Sequence, residues 1–117
     1  MLTRAQAEEF AVEWVAAWNS HDLARILSHY SDDFVMSSPR IAVVAGEPSG
    51  VLSGKAAVAR YWEAALALSP NLHFELESIY LGTDSMAIQY KGMRGPAIEV
   101  FFFNQAGLVS KAAAHYL

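Results

Sequence analysis

Glu99 is the one acid in the run Pro96-Ala-Ile-Glu-Val-Phe-Phe-Phe-Asn104. If that run is a strand, alternate side chains share a face, so Glu99 points with Phe101 and Phe103. A carboxylate held among phenylalanines and near Tyr90 loses hydration, and its pKa rises toward neutrality. Such a group can pass a proton near pH 7 or anchor the polar end of a ligand. Alternation alone leaves the opposite orientation open, with Glu99 in solvent beside Lys91 or Lys111. Two phenols are the next candidates. Tyr30 and Tyr116 could each hydrogen-bond a ligand carbonyl or Glu99, or simply fill core with the hydroxyl at its rim. Tyr116 shares a face with Ala112 and Ala114, whose small side chains leave room beside the aromatics. Trp14, Trp18, Tyr61 and Trp62 give two helices aromatic faces, which suit an apolar slot or an ordinary core.

Other chemistries find no support in the pattern. The four histidines, His21, His29, His73 and His115, lie on different segments with no pair at metal-ligand spacing. Asp32 and Asp33 fit turn and cap duty better than an acid pair. There is no Gly-rich phosphate loop, no Gly-x-Ser-x-Gly and no distinctive Ser/His/Asp order, so no cofactor or hydrolase site is expected. With no cysteine, thiol chemistry and disulfides are excluded.

The elements that would position these residues follow from capping and periodicity. Thr3-Arg-Ala-Gln6 fits a capping box, and Phe10, Trp14, Ala17 and Trp18 recur on one helical face. Asn19-Ser-His21 breaks that helix. Asp22 is a plausible cap for a second one, carrying Leu23, Ile26, Leu27 and Tyr30 and ending at Ser31-Asp-Asp33. Phe34-Val-Met36 reads as a short strand stopped by Pro39. Residues 40–53 are less regular and suit a flap or hairpin over a cavity mouth. Ser53 caps a third helix running to about Leu68, with Val58, Tyr61, Trp62, Ala65 and Leu66 at helical spacing. From Leu72 onward the period is two, with turns at Gly82-Thr-Asp84, Gly92-Met-Arg-Gly95 and Asn104-Gln-Ala-Gly107. Helices followed by a strand meander predict an α+β domain, three N-terminal helices packed on one face of a curved antiparallel sheet.

Size and charge narrow the partners. A chain of 117 residues makes one domain over 1–117, and 54% apolar residues exceed what a small core needs. The surplus points to an enclosed apolar cavity, an oligomer face, or both. A formal charge of −4 without any Lys/Arg cluster argues against nucleic acid and against a membrane surface. Met1-Leu-Thr-Arg-Ala-Gln lacks a signal-peptide core and no apolar span approaches membrane length, so the expected location is cytoplasmic. Opposite to Glu99, the row Ile98, Val100 and Phe102 is too apolar for a solvated sheet face.

The order helix, helix, short strand, helix, long antiparallel strands resembles the nuclear-transport-factor-2-like fold of SnoaL-like polyketide cyclases and ketosteroid isomerases. Trp14-Val-Ala-Ala-Trp-Asn-Ser-His-Asp22, Tyr30-Ser-Asp-Asp33, Ser38-Pro39, Gly54-Lys55 and Glu99 through Gly107 carry the likeness in family order. The resemblance implies a cone-shaped fold with a pocket and turns Glu99, Ala112, Ala114 and Tyr116 inward. It also implies dimerisation through the convex sheet, which would cover the Ile98/Val100/Phe102 row in a homodimer. In the isomerase pattern the general-base aspartate falls on Ser38, which a serine cannot replace at neutral pH unaided. The oxyanion-donating tyrosine falls on Trp14, a supporting tyrosine on Tyr30, another on Trp62, and the protonated aspartate on Glu99. The implied function is a pocket for a small apolar or carbonyl-bearing ligand, with cofactor-independent acid/base chemistry of isomerase, cyclase or dehydratase type. The expected roles are Glu99 and Tyr30 in catalysis, and Trp14, Ser38, Trp62, Tyr90, Phe101, Phe103 and Tyr116 in binding. The alternative is a non-catalytic ligand-binding or dimerisation module.

Overall fold

The computed structural model describes all 117 residues. Helix α1 (Arg4–Ser20) begins at the anticipated capping box. Thr3 Oγ1 accepts from the Gln6 amide at 3.1 Å, and Gln6 Oε1 accepts from the Thr3 amide at 2.9 Å. Ala7, Ala11, Trp14, Ala17 and Trp18 form its buried stripe. The helix ends at His21, the only non-glycine residue with positive φ, at 59°. The His21 ring then bonds the Leu72 carbonyl at 2.8 Å, tying the helix end to the strand region.

Helix α2 (Leu23–Leu27) is a single turn and a half, capped by Asp22. Tyr30 does not continue it. Tyr30 opens strand β1 (Tyr30–Ser37), and Ser31-Asp-Asp33 lie within that strand rather than ending a helix. Val109 donates its amide to the His29 carbonyl at 2.9 Å, and Ser31 Oγ reaches the Val109 carbonyl at 3.3 Å. Long-range pairing thus overrides the local helical period.

Residues 40–53 fold into a short helix, a turn and a short strand. Helix α3 (Pro39–Val44) starts at Ser38, whose Oγ accepts from the Arg40 amide at 3.1 Å. Strand β2 (Val51–Ser53) then pairs antiparallel with β1. The Ser38 amide donates to the Gly50 carbonyl at 2.9 Å. A Cβ on Gly50 would stand 3.1 Å from the Ser38 carbonyl oxygen, and φ there is +70°, so glycine suits both the turn and the close approach. Ser53, expected as a cap, pairs with Val35 instead, and Gly54 caps helix α4 (Lys55–Leu68).

The remaining strands are β3 (Glu75–Leu81), β4 (Ser85–Gly92), β5 (Gly95–Phe103) and β6 (Val109–Tyr116). Leu72–Phe74 alternate as expected yet lie ahead of the ladder. The Asn19 side chain accepts from the Phe74 amide at 2.7 Å and donates to its carbonyl at 3.0 Å, replacing a strand partner. The six strands form one sheet in the order β2-β1-β6-β5-β4-β3. All neighbours are antiparallel except β1 and β6, which run parallel. Register shifts in β1–β6, β3–β4 and β5–β6 bend the sheet, as bulges do. The expected α+β architecture is therefore present, with α3 as a fourth, short helix. One core holds helices and sheet together; Trp14, Tyr30, Phe34 and Phe101 are its largest fully buried side chains. On the outer sheet face Ile98 and Phe102 remain 40% and 43% exposed. No helix is long and apolar enough to cross a membrane.

Candidate active site

Strand β5 presents Ala97, Glu99 and Phe101 to the interior and Ile98 and Phe102 to the outside. Glu99 is 5% exposed, set between Ile88 of β4 and Ala114 of β6. Both of those neighbours are apolar, so the carboxyl has no partner across the sheet. Neither lysine is one: Lys91 pairs with Pro96, and Lys111 lies over the Phe102 ring on the outer face. No protein group hydrogen-bonds Glu99, and burial pushes its carboxyl up to about 8. Near neutral pH most of it is protonated, with a useful ionised fraction.

Glu99 borders a cavity of about 140 Å³ between the sheet and helices α1, α3 and α4. Trp14, Trp18, Trp62, Phe74 and Tyr90 supply its aromatic walls. Those rings brace one another. Trp14 stacks on Phe74 at 5.6 Å and meets Tyr90 edge-on at 5.1 Å, while Trp18 meets Trp62 at 5.2 Å. The mouth is framed by Arg40 of α3, Arg94 of the β4–β5 turn, Tyr61 and Tyr116. A dry apolar cavity of roughly 150 Å³ accommodates benzene, which sets the scale for a bound group here at one ring.

The anticipated residues fall in three places. Glu99, Trp14, Trp62, Tyr90 and Tyr116 line the cavity together. Tyr30 and Ser38 stand behind that wall. Trp14 donates its Nε1–H to the Tyr30 hydroxyl at 3.0 Å, so the indole donor is engaged inside the protein and is not free for a ligand. Tyr30, packed at 4.4 Å on Phe34 and 4.9 Å on Trp62, keeps its own proton, held well above its usual range by burial and the Glu99 charge. Ser38 is buried as the cap of α3, where its hydroxyl lies near enough to draw the Tyr61 and Tyr116 pKa values partly down. Phe101 and Phe103 share the face of Glu99 but line no part of its cavity. Both pack edge-on against Phe10 at 5.0 Å, which fills the space under that end of β5.

Tyr61, Tyr90 and Tyr116 remain protonated donors at neutral pH. Burial pushes Tyr61 up to about 12 and drives Tyr90 further, the Glu99 charge adding to both. One buried donor is left over. Trp18 Nε1, on the cavity wall, has no hydrogen-bond partner.

Tyr61, anticipated with the helix aromatics as a wall of an apolar slot, lines the cavity, whereas Arg40 and Arg94 were not anticipated as site residues. Arg94 had a usable signal, since its turn joins the strands bearing Tyr90 and Glu99 and must lie at one end of whatever they line. Arg40 had only its place after Ser38-Pro39.

A six-stranded sheet wrapped around an aromatic cavity, with helices closing it, defines a nuclear-transport-factor-2-like α+β protein. The SnoaL-like domain profile matches residues 11–109, and the chain belongs to that family. A SnoaL-like protein of unknown function from Burkholderia thailandensis E264 is 53% identical, with a TM-score of 0.94, covering 98% of this chain and 97% of that one. A Sinorhizobium meliloti protein named as a candidate polyketide cyclase shares the fold at 13% identity and a TM-score of 0.76, over 97% of this chain and 100% of that one. A Cytophaga hutchinsonii NTF2-like protein of unknown function does so at 12% identity and 0.72, over 100% and 95%. No curated protein matches the chain.

Proposed function

We propose that the protein binds a small apolar or carbonyl-bearing molecule in this cavity and moves a proton on it without a cofactor, Glu99 being the proton carrier. The observation that carries this reading is a carboxyl 5% exposed, without a hydrogen-bond partner, facing an apolar space of about 140 Å³. Burying an unpaired acid is destabilising, and a site that needs a proton carrier near neutral pH is one physical reason to keep it. The ionised form would take a proton from carbon beside a carbonyl, and the protonated form would return it elsewhere on the same substrate. Phenols at Tyr90 and Tyr116, and the unpartnered Trp18 indole, are donors of the kind an enolate oxygen requires. Tyr30 acts through Trp14, holding that ring against the cavity. The cavity size favours a single ring over a polycycle.

A second reading, binding without turnover, is favoured by one observation. Ser38, at the position of the isomerase base, serves as the α3 cap, leaving Glu99 as the sole acid on the cavity.

Deuterium exchange separates the two. Cyclohexanone is incubated with the protein in D2O and its α-protons are followed by NMR. The enzyme reading expects exchange faster than buffer, falling about 100-fold or more in Glu99→Gln, the usual worth of a positioned acid/base. Cyclohexanone that shifts cavity-residue resonances but exchanges at the buffer rate favours binding alone. If it neither binds nor exchanges, the pocket reading is wrong.

A further inference from the structure

Of the five arginines, Arg4 and Arg25 are paired on the surface, Arg60 lies away from the cavity, and the remaining two stand out. Arg4 pairs with Glu8 at 3.1 Å, and Arg25 pairs with Glu13 at 2.7 Å. Arg40 and Arg94 differ from both: neither side chain meets a carboxylate or makes a hydrogen bond, although the chain has 12 acids to 8 bases. They arrive from separate elements, the first turn of α3 and the β4–β5 turn, and border the same cavity. Both guanidiniums draw the Tyr116 phenol down against the effect of its burial, and Arg40 acts likewise on Tyr61. The two cations therefore stand around a pair of phenolic donors at the mouth.

The rest of the cavity is apolar and aromatic. Its one acid, Glu99, is 5% exposed and lacks any protein partner. A neutral apolar ligand would leave two guanidiniums at the mouth with nothing to bind. A guanidinium presents parallel N–H groups that match a carboxylate two at a time.

We propose that the ligand is a small monocarboxylic acid whose apolar part fills the cavity and whose carboxylate is held at the mouth by Arg40 and Arg94, with Tyr116 as a further donor. This rests on the pocket reading above and names the class of its ligand. The acid enters body first. Its far end then lies beside Glu99, and its charge stays where water and the arginines solvate it. Below about pH 8 Glu99 is largely protonated, so the ligand meets no opposing charge inside.

The test uses two molecules of one shape, 3-phenylpropionate and 3-phenylpropionamide, titrated calorimetrically at pH 7 into the protein and into Arg40→Gln and Arg94→Gln. Neither arginine side chain holds other elements together, so both variants are expected to fold, which circular dichroism checks. The acid is expected to bind about tenfold or more tightly than the amide. Each single substitution should narrow that preference, and the double substitution should abolish it while amide binding persists. Equal binding of acid and amide overturns the carboxylate site and leaves the pocket reading standing. A preference for the acid that survives the double substitution overturns it too, because the charge is then held elsewhere. If neither compound binds and cyclohexanone does not either, the pocket reading falls and this inference with it.

Discussion

Replacing Glu99 by glutamine keeps the outline of the side chain and removes its titration. In the native protein burial moves the carboxyl from an ordinary 4.5 up to about 8. The unfolded chain therefore releases this proton at lower pH than the folded one, and stability falls as pH rises between those values. Each unit of that window is worth about 1.4 kcal/mol, so the native protein should lose about 3 kcal/mol between pH 5 and pH 7 from Glu99 alone. Counted from pH 5, the loss approaches roughly 4 kcal/mol by pH 8 and then levels off. Glu13 works in the opposite sense: hydrogen bonds from Arg25 and His29 hold its carboxyl at about 2 despite partial burial, but that contribution is common to both proteins. The assay is urea unfolding of native and Glu99→Gln protein at pH 5, 6, 7 and 8, and the quantity read is the difference between them at each pH. The glutamine amide is itself buried without a partner, so a constant offset is uninformative and only the slope counts. A difference that grows by about 3 kcal/mol from pH 5 to pH 7 in favour of the variant is expected. Two curves that run parallel would show that Glu99 titrates normally, and the proton-carrier role would lose its physical basis.

Two further outcomes are expected. Tyr30→Phe removes the acceptor for Trp14 Nε1 and leaves a buried N–H unpaired, which should cost about 1–3 kcal/mol by chemical denaturation and weaken binding of cyclohexanone through movement of the Trp14 ring; unchanged stability would show that the 3.0 Å bond contributes nothing net. On the outer face, the exposed Ile98 and Phe102 are proposed to pair two copies of the chain about a two-fold axis. Sedimentation at micromolar concentration should find a dimer that Phe102→Asp converts to monomer without loss of helix content, whereas a monomeric native protein would refute the pairing.

Glu99 was legible in part because β alternation is local: once Pro96–Asn104 is a strand, the faces of Glu99 and Phe102 are opposite whatever the rest of the chain does, while which face is the inner one came from the family resemblance. The α1 cap was legible for the same reason, since Thr3 and Gln6 satisfy each other within one turn. Tyr30 was misplaced because Ile26, Leu27 and Tyr30 carry a genuine helical spacing. What decides its state is pairing with β6, a partner 78 residues away along the chain at Ser31, and no local window contains it. Phe103 shows the limit of alternation. It shares the face of Glu99, but a face longer than the cavity also runs over the solid core beneath Phe10. Of the arginines at the mouth, Arg94 was within reach through its turn between the Tyr90 and Glu99 strands, and Arg40 was hidden for a different reason. A rim cation resembles any surface arginine until the topology brings α3 and the β4–β5 turn to the same opening.

The position of β6 between β1 and β5 bears on how the chain is assembled. The strands made first, β1 and β2, cannot join β3, β4 and β5 directly, because the only bridge between the two groups is the strand made last of the six. Until β6 threads between them, the aromatic faces of α1 and α4 have half a sheet to cover them. Nascent or truncated chains lacking β6 should therefore be sticky intermediates that depend on chaperones, and folding should be slow for so small a protein, since its closing step joins its most distant segments. The same strand carries Ala112 and Ala114 into the core and Tyr116 to the cavity mouth, so the cavity wall is completed only when the fold itself is.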